Sequence, residues 1–411
     1  MARVSTQTDF DELLDLRELS AEYQPLVDMD SGQPVGYEAL ARGPAWSEFA
    51  APAELFSHAY RVGRAAELDW VCRAAAISGA LAAGLPRDLP LFLNIEPLSL
   101  RTPCPPDLQG VMDAGLRDLT LVVELTERWI AADPAAVLSA AREARAVGVG
   151  IALDDVGAEA ASLALMPLIR PDVIKLDMSL IQCRPGRAVA RVANAVLAEA
   201  ERTGAAIVAE GVETPRHVAT ARSMGATLAQ GWWYGRPSPL PPAPFPSPIR
   251  SIPRLDQPGA DGSTPFDLIG GVRPTRPATR ALLRSLSRHL EMQVAGLPEP
   301  AVLASSFQYA RKFDSRTRQL YERLADRSTT VVALGVGMPH EPAPGVHGTT
   351  LGTDDPLVGE WAVIAVGVQS AAALVARQRR GEDLYDFAIT HDRDLAIAAA
   401  DRLLSRLTAP V

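Results

Sequence analysis

The sequence predicts an α/β fold: an irregular (β/α)8 barrel of the TIM type with an antiparallel first strand, followed by a smaller α/β domain. Three observations predict it. Eight short β-type runs alternate with longer helical stretches over the first 237 residues. Only "MDSGQP" (29–34) separates the first two runs. A proline-dense stretch then breaks the pattern before a second alternation begins.

The runs are, in order, "YQPLVD" (23–28), "VGYEALAR" (35–42), "PLFLNIEP" (90–97), "LTLVVELTE" (119–127), "GIALDDVG" (150–157), "DVIKLD" (172–177), "AIVAEGVE" (206–213) and "LAQGWWY" (228–234). Parallel pairing requires a crossover of roughly a dozen residues, so strands one and two must pair antiparallel. Among the helices, 134–147 starts at Pro134 behind Asp133 as a cap and stops at Gly148.

From Pro237 to Pro265 the chain places ten of its 34 prolines, ending in Gly and Ser turn residues. Such a stretch forms neither helix nor central strand and reads as a semi-rigid, extended spacer. The expected division is a barrel over 1–237, a Pro-rich linker over 238–264 and an α/β domain over 265–411.

At 411 residues, 47% apolar and 22% charged, the chain is an ordinary globular protein with room for two cores. It has no run of about 18 uncharged apolar residues, and its acidic, polar start is unlike a signal peptide, so a cytoplasmic location without a membrane span is expected. Net charge is −9 without a basic block, which argues against a broad DNA- or membrane-binding face. Cys72, Cys104 and Cys183 are scattered and odd in number. They read as packing thiols of a reducing compartment.

The polar residues at the strand ends carry the chemistry. Glu38, Asn94, Glu124, Asp154 with Asp155, Lys175, Glu210 and Gln230 fall at the C-terminal ends of strands two to eight. That is the end where such barrels build active sites. One such residue alone would read as a helix cap, but a ring of acids repels itself unless cations neutralise it. Carboxylate and amide oxygens without His or Cys point to Mg2+ or Mn2+. The adjacent Asp154 and Asp155 could share two ions, an arrangement suited to phosphate-ester hydrolysis. Lys175 is one of two lysines in a chain that otherwise writes positive charge as arginine. A compact ammonium can orient or help deprotonate an attacking water where a planar guanidinium would fit poorly. Arg42 shares a strand face with Glu38 and Leu40 and can meet a substrate phosphate, or it is an ordinary surface arginine.

These motifs resemble the EAL-domain cyclic di-GMP phosphodiesterases: "EALAR" (38–42), "NIEP" (94–97), "ELTE" (124–127), "DDVG" (154–157), "KLD" (175–177), "EGVE" (210–213) and "QGWWYGRP" (230–237), in family order. The resemblance implies hydrolysis of cyclic di-GMP to linear pGpG with two ions. Glu38, Asn94, Glu124 and Asp154 would hold one ion, and Asp154 with Asp155 the second. Lys175 and Glu210 would act on the attacking water. Arg42, Leu40, Gln230 and Glu213 would line the substrate, and Glu127 would brace the loop after strand five. A homodimer is likewise implied.

That loop departs from the family. Active members read close to DDFGTGYSSL, whereas this chain reads "DDVGAEAASL" (154–163). In the family the loop links dimer packing to the second ion, so slow turnover, or a barrel that serves as a cyclic di-GMP receptor, is the alternative. A barrel lyase acting on an organic acid is a third reading. The C-terminal part resembles the DICT sensory domain through "RPTRP" (273–277), "GEW" (359–361) and "THDRD" (390–394), which implies regulation by an unknown ligand or partner. His391, Asp392 and Asp394 read as a turn with a helix cap, not a metal cluster, and His340 and His347 as loop residues. The "WWYG" aromatics (232–235) read as core, or else as part of an interface.

Overall fold

The computed structural model describes residues 10–157, 162–184, 186–255, 263–327 and 329–407. By contacts the chain divides into two units, one of Met1–Glu127, Ala140–Ala158 and Pro171–Leu255, the other of Arg128–Ser139, Glu159–Arg170 and Asp256–Val411.

The first unit contains a closed eight-stranded barrel, β1 (Ser20–Asp28), β2 (Pro34–Arg42), β3 (Leu91–Asn94), β4 (Leu121–Thr126), β5 (Gly150–Val156), β6 (Val173–Leu176), β7 (Ala206–Ala209) and β8 (Leu228–Ala229). β1 pairs antiparallel with both β2 and β8, and every other neighbouring pair is parallel. The irregular barrel expected from the short first connection is the observed one.

Each strand sends one apolar side chain into the lower barrel: Leu26, Val35, Phe92, Val122, Ala152, Val173, Val208 and Leu228 form one buried cluster. This is how barrels of this size fill their interior with layers of side chains. Ile252 packs against the same cluster. The prolyl stretch therefore does not hang free at its start. Ser238 bridges Tyr23, Arg250 lies 3.3 Å from Asp28, and Leu255 N–H donates to Asp172 at 2.6 Å. The helix Pro134–Ala146 is present where expected, with Asp133 accepting from Ala136 N–H at 3.0 Å.

The second unit holds a seven-stranded sheet of β9 (Arg276–Thr279), β10 (Ala301–Tyr309), β11 (Thr330–Val336), β12 (Val346–Thr350), β13 (Glu360–Gly367), β14 (Ala371–Gln378) and β15 (Leu384–Thr390), in the order β12-β11-β10-β13-β14-β15-β9. The β10–β11 and β11–β12 pairs are parallel, the rest antiparallel. Leu283, Leu290, Leu303, Tyr321, Val331 and Leu374 are among its core residues. Asp392 caps the helix Arg393–Leu404 by accepting from Leu395 N–H, and it pairs with Arg273 at 2.8 Å. The motifs "RPTRP" and "THDRD" thus meet in a structural contact.

Two assignments are corrected. Trp232 and Trp233 are about half exposed, not core, because the turn at Gly231 (φ +151°) packs its backbone on Val212 and turns both indoles outward. The Arg236 guanidinium covers the Trp232 ring at 4.0 Å. Of the cysteines only Cys72 is buried, while Cys104 is half-buried and Cys183 is exposed at a helix end. No helix among the described residues is long and apolar enough to cross a membrane.

Candidate active site at the barrel rim

The polar ring follows from strand pleating. Residues two apart share a face. Advancing two positions from the apolar ring gives Asn94 from Phe92, Glu124 from Val122, Asp154 from Ala152, Lys175 from Val173, Glu210 from Val208 and Gln230 from Leu228. The oil layer is thus followed, one pleat higher, by a layer of carboxylates, amides and one ammonium. Glu38 lies mid-strand in β2, yet β2 pairs with β3 only over Tyr37–Ala39, so it too stands where the closed barrel ends.

Lys175 is the centre of this layer. Its Nζ lies 3.1 Å from Glu38 Oε2, 2.7 Å from Glu124 Oε1, 2.8 Å from Asp154 Oδ1 and 2.8 Å from Glu210 Oε1. Burial would lower its pKa, but Asp154, Glu124, Glu210 and Glu38 outweigh burial and push it well above the usual value, so it is a fixed ammonium. Glu38 is buried too, which would raise its pKa. Lys175 and the hydrogen bonds from Gln230 Nε2 at 2.7 Å and Asn94 Nδ2 at 3.1 Å hold it below the usual range instead. For Glu124 and Glu210, burial and neighbouring carboxylates win, and both carboxyls are pushed well up.

Asp155 reaches the site by a different device. In a regular strand it would point away from Asp154, but it has φ +56° where the β5–β6 register breaks between Leu153 and Val156. Bulges of this kind re-aim side chains beside active sites. Asp154, Asp155 and Glu210 consequently offer oxygens that all lie within 4.8 Å of one another. Burial, with Asp154 and Asp177 adding to it, pushes the Asp155 carboxyl up to about 6.

The residues fit a hard divalent cation. Four carboxylates around one ammonium leave a surplus of negative charge, and the buried Glu124 Oε2 and Gln230 Oε1 have no hydrogen-bond partner. Buried polar atoms are seldom left so, and an oxygen-only donor set suits Mg2+ or Mn2+.

Other expected site residues lie apart from this cluster. Arg42 Nε is paired with Glu22 Oε2 at 2.8 Å, and Leu40 is half-buried opposite Glu22. Glu213 is exposed, with its backbone N–H directed at His217 Nδ1, 3.3 Å away. Glu127 is buried at the start of the helix Glu127–Ala132. In the altered loop, residues 158–161 fall outside the described residues.

Sequence reasoning missed Gln24. It stands opposite Glu38 in the antiparallel β1–β2 pair, accepts from Gln230 Nε2 at 3.1 Å and donates to Gly235 O at 3.0 Å. It is two positions before Leu26, the same pleat step run backwards on the antiparallel strand.

Comparison with known proteins adds the following. The family model described as "EAL domain" matches residues 7–237, and that described as "Sensory domain in DIguanylate Cyclases and Two-component system" matches 272–379. An uncharacterized signaling protein of Caulobacter vibrioides is 33% identical over 232 residues, 54% of this chain and 28% of that protein. The cyclic di-GMP phosphodiesterase NbdA of Pseudomonas aeruginosa is 30% identical over 230 residues, 54% of this chain and 29% of that protein. The matches thus span less than a third of these two relatives. The solved manganese/cy-diGMP complex of Klebsiella pneumoniae BlrP1 is 27% identical, covers 54% of this chain and 56% of that chain, and superposes with a TM-score of 0.47.

Proposed function

The chain belongs to the EAL-domain family, and from that membership we propose that it is a divalent-cation-dependent phosphodiesterase that hydrolyses cyclic di-GMP to linear pGpG. In this reading residues 1–237 are the catalytic domain, 238–264 the connector and 265–411 a sensory domain that regulates it, in a cytoplasmic homodimer. The observation that carries the reading is the rim itself: one buried ammonium among four carboxylates, with Glu124 Oε2 unpartnered.

Glu38, Asn94, Glu124 and Asp154 would hold one Mg2+ or Mn2+, and Asp154 with Asp155 the second. Bound there, the ions would offset charge on the attacking and leaving oxygens of the phosphodiester. The chain supplies the rest. Lys175, protonated and fixed by its four partners, orients the attacking water and balances charge as it builds up. Glu210 uses Oε1 to pair with Lys175, and with the neighbouring carboxylates neutralised by the ions it would be ionised, leaving Oε2 to accept a proton from that water. As the water oxygen bonds to phosphorus, one P–O ester bond breaks, the departing ribose oxygen takes a proton from solvent, and Glu210 then returns its proton to solvent. Arg42 meets a phosphate of the substrate, Leu40, Gln230 and Glu213 line its pocket, and Glu127 braces the loop after β5.

The test is to incubate the full chain with cyclic di-GMP and Mn2+ or Mg2+ and separate the nucleotides by chromatography. Linear product from the parent but not from Glu38→Ala or Lys175→Ala supports the reading, and a fully active Glu38→Ala sinks it. The loop "DDVGAEAASL" favours one second reading, a cyclic di-GMP receptor. Binding without product selects it.

A further inference from the structure

The second unit contains a cavity of ≈ 700 Å³ walled by the helix Arg280–Ala295, strands β10 and β13, and the start of the helix Ser315–Ala325. Five cations, Arg280, Arg284, Arg288, Lys312 and Arg316, line it against two carboxylates, Glu291 and Asp314, and Arg280 also lies 3.9 Å from Asp383 outside the lining, so two positive charges remain in surplus. Both carboxylates are committed. Glu291 accepts from the Tyr321 hydroxyl at 3.1 Å and pairs with Arg288 at 3.4 Å, and Asp314 caps its helix through Thr317 N–H at 2.9 Å. Arg284 and Arg316 have no ion pair among the described residues.

Arg280 also donates to the Tyr385 hydroxyl at 3.2 Å and Arg288 is paired with Glu291, but Arg284 stands between them where its charge costs stability. Arg280, Arg284 and Arg288 recur every four residues on one helix, and like charges at that spacing repel. The first turn of that helix holds no acid to favour its positive N-terminus. Lys312 is the chain's only other lysine besides Lys175. Burial and the nearby Arg280, Arg311 and Arg284 lower its pKa, and its ammonium donates to Gln308 Oε1. Gln308 is itself buried at φ +61°, in a bulge of β10 between Ser306 and Tyr309. Local strain and unneutralised charge around one cavity are the marks of a site kept for function.

The cavity wall also has an apolar part, Phe307, Trp361 and Val363. Trp361 is fixed by a hydrogen bond from Nε1 to Ser287 Oγ at 3.0 Å and by an edge-on contact with Tyr385 at 6.2 Å. A locked aromatic beside a cluster of guanidinium groups offers stacking and charge together. We infer that this cavity is a binding site for a small organic polyanion with a flat apolar portion, its charges met by Arg284, Arg316 and Lys312 and its ring by Phe307 and Trp361. Its volume is in the range of small-molecule sites.

The experiment uses the full chain in EDTA and follows fluorescence anisotropy of hydroxypyrene trisulfonate, a flat trianion. Saturable binding is expected, weakened by at least about tenfold in the Arg284→Gln/Arg316→Gln double variant. Arg323→Gln, the same charge change on the same helix as Arg316, should leave binding within about twofold. Pyrophosphate, charge without a ring, and neutral pyrenemethanol, a ring without charge, should each compete at least about tenfold more weakly than unlabelled pyrene tetrasulfonate. Because the double variant removes repulsion, its melting temperature should hold or rise. If it falls instead, Lys312→Gln provides the same binding readout. No saturable binding by the parent, equal binding by the cavity variants, or equal loss in Arg323→Gln would overturn the inference.

Discussion

Lys175 Nζ stands 2.7 Å from Glu124 Oε1, with side-chain exposures of 1% and 0%. A buried pair of this kind is held by its surroundings, because the desolvation of both ions rivals their attraction. Here the surroundings are three further carboxylates, so the lysine is the one positive charge in a layer built to hold more. An arginine would bring a planar fork with five donors into a space that four carboxylates already share.

This imbalance gives the first prediction. In EDTA, Lys175→Met should lose about 3–5 kcal/mol, since it leaves the buried carboxylates without their counter-charge. Glu124→Gln removes one of the repelling acids at nearly constant shape and should raise the melting temperature by about 2–4 °C. Thermal melting followed by circular dichroism decides it, and a Glu124→Gln protein less stable than Lys175→Met would refute the charge accounting.

Divalent cations should stabilise the parent strongly. A ligand that binds only the native state at 100 times its Kd contributes about 2.7 kcal/mol. Melting in Mn2+ against EDTA should show a shift of that order. Asp154→Asn, which removes a carboxylate common to both proposed ion sites, should abolish most of the shift. An equal shift in that variant would remove Asp154 from the donor set.

Much of this site could be read from the sequence, for a physical reason. Barrel strands are short and pleat with a period of two, so an apolar residue followed two places on by a polar one, as in Phe92 and Asn94 or Val122 and Glu124, marks where the packed core gives way to the rim. The same rule does not account for Asp155, which the sequence marks only as the neighbour of Asp154: strict alternation sends it outward, and the bulge at φ +56° returns it. Gln24 was hidden by direction. The short "MDSGQP" connection fixes β1 as antiparallel, but the register that sets Gln24 opposite Glu38 had to be seen. Trp232 and Trp233 were misassigned because composition favours burial of indoles, while the close backbone packing at Gly231 decides their actual direction.

The bulge separates two roles of Asp155. Asparagine tolerates the left-handed region, so Asp155→Asn should melt within about 1 kcal/mol of the parent. Without the carboxylate, turnover of cyclic di-GMP should fall by at least about a hundredfold. Asp155→Val should instead lose about 1–2 kcal/mol through its backbone alone. Nucleotide chromatography beside thermal melting separates the effects. An Asp155→Asn enzyme with full turnover would show that the second ion, if bound, does not need this carboxylate.

Arg42 supplies the last prediction, because the structure shows it already engaged. Its Nε lies 2.8 Å from Glu22 Oε2, with the arginine side chain 26% and the glutamate 37% exposed. Glu22 lies opposite Leu40 in the β1–β2 pair, one diagonal step from Arg42, a spacing at which cross-strand charges meet. If Arg42 is to meet a substrate phosphate, it must share or give up this partner. Glu22→Gln should therefore free the guanidinium and lower KM by a few-fold with kcat unchanged, a change in uniform binding. Its stability cost should stay below about 1 kcal/mol, as for other exposed pairs. Arg42→Ala should raise KM by about tenfold or more. A KM that rises in Glu22→Gln would mean that the ion pair itself presents Arg42 to the substrate, and that Glu22 positions the arginine and does not compete for it.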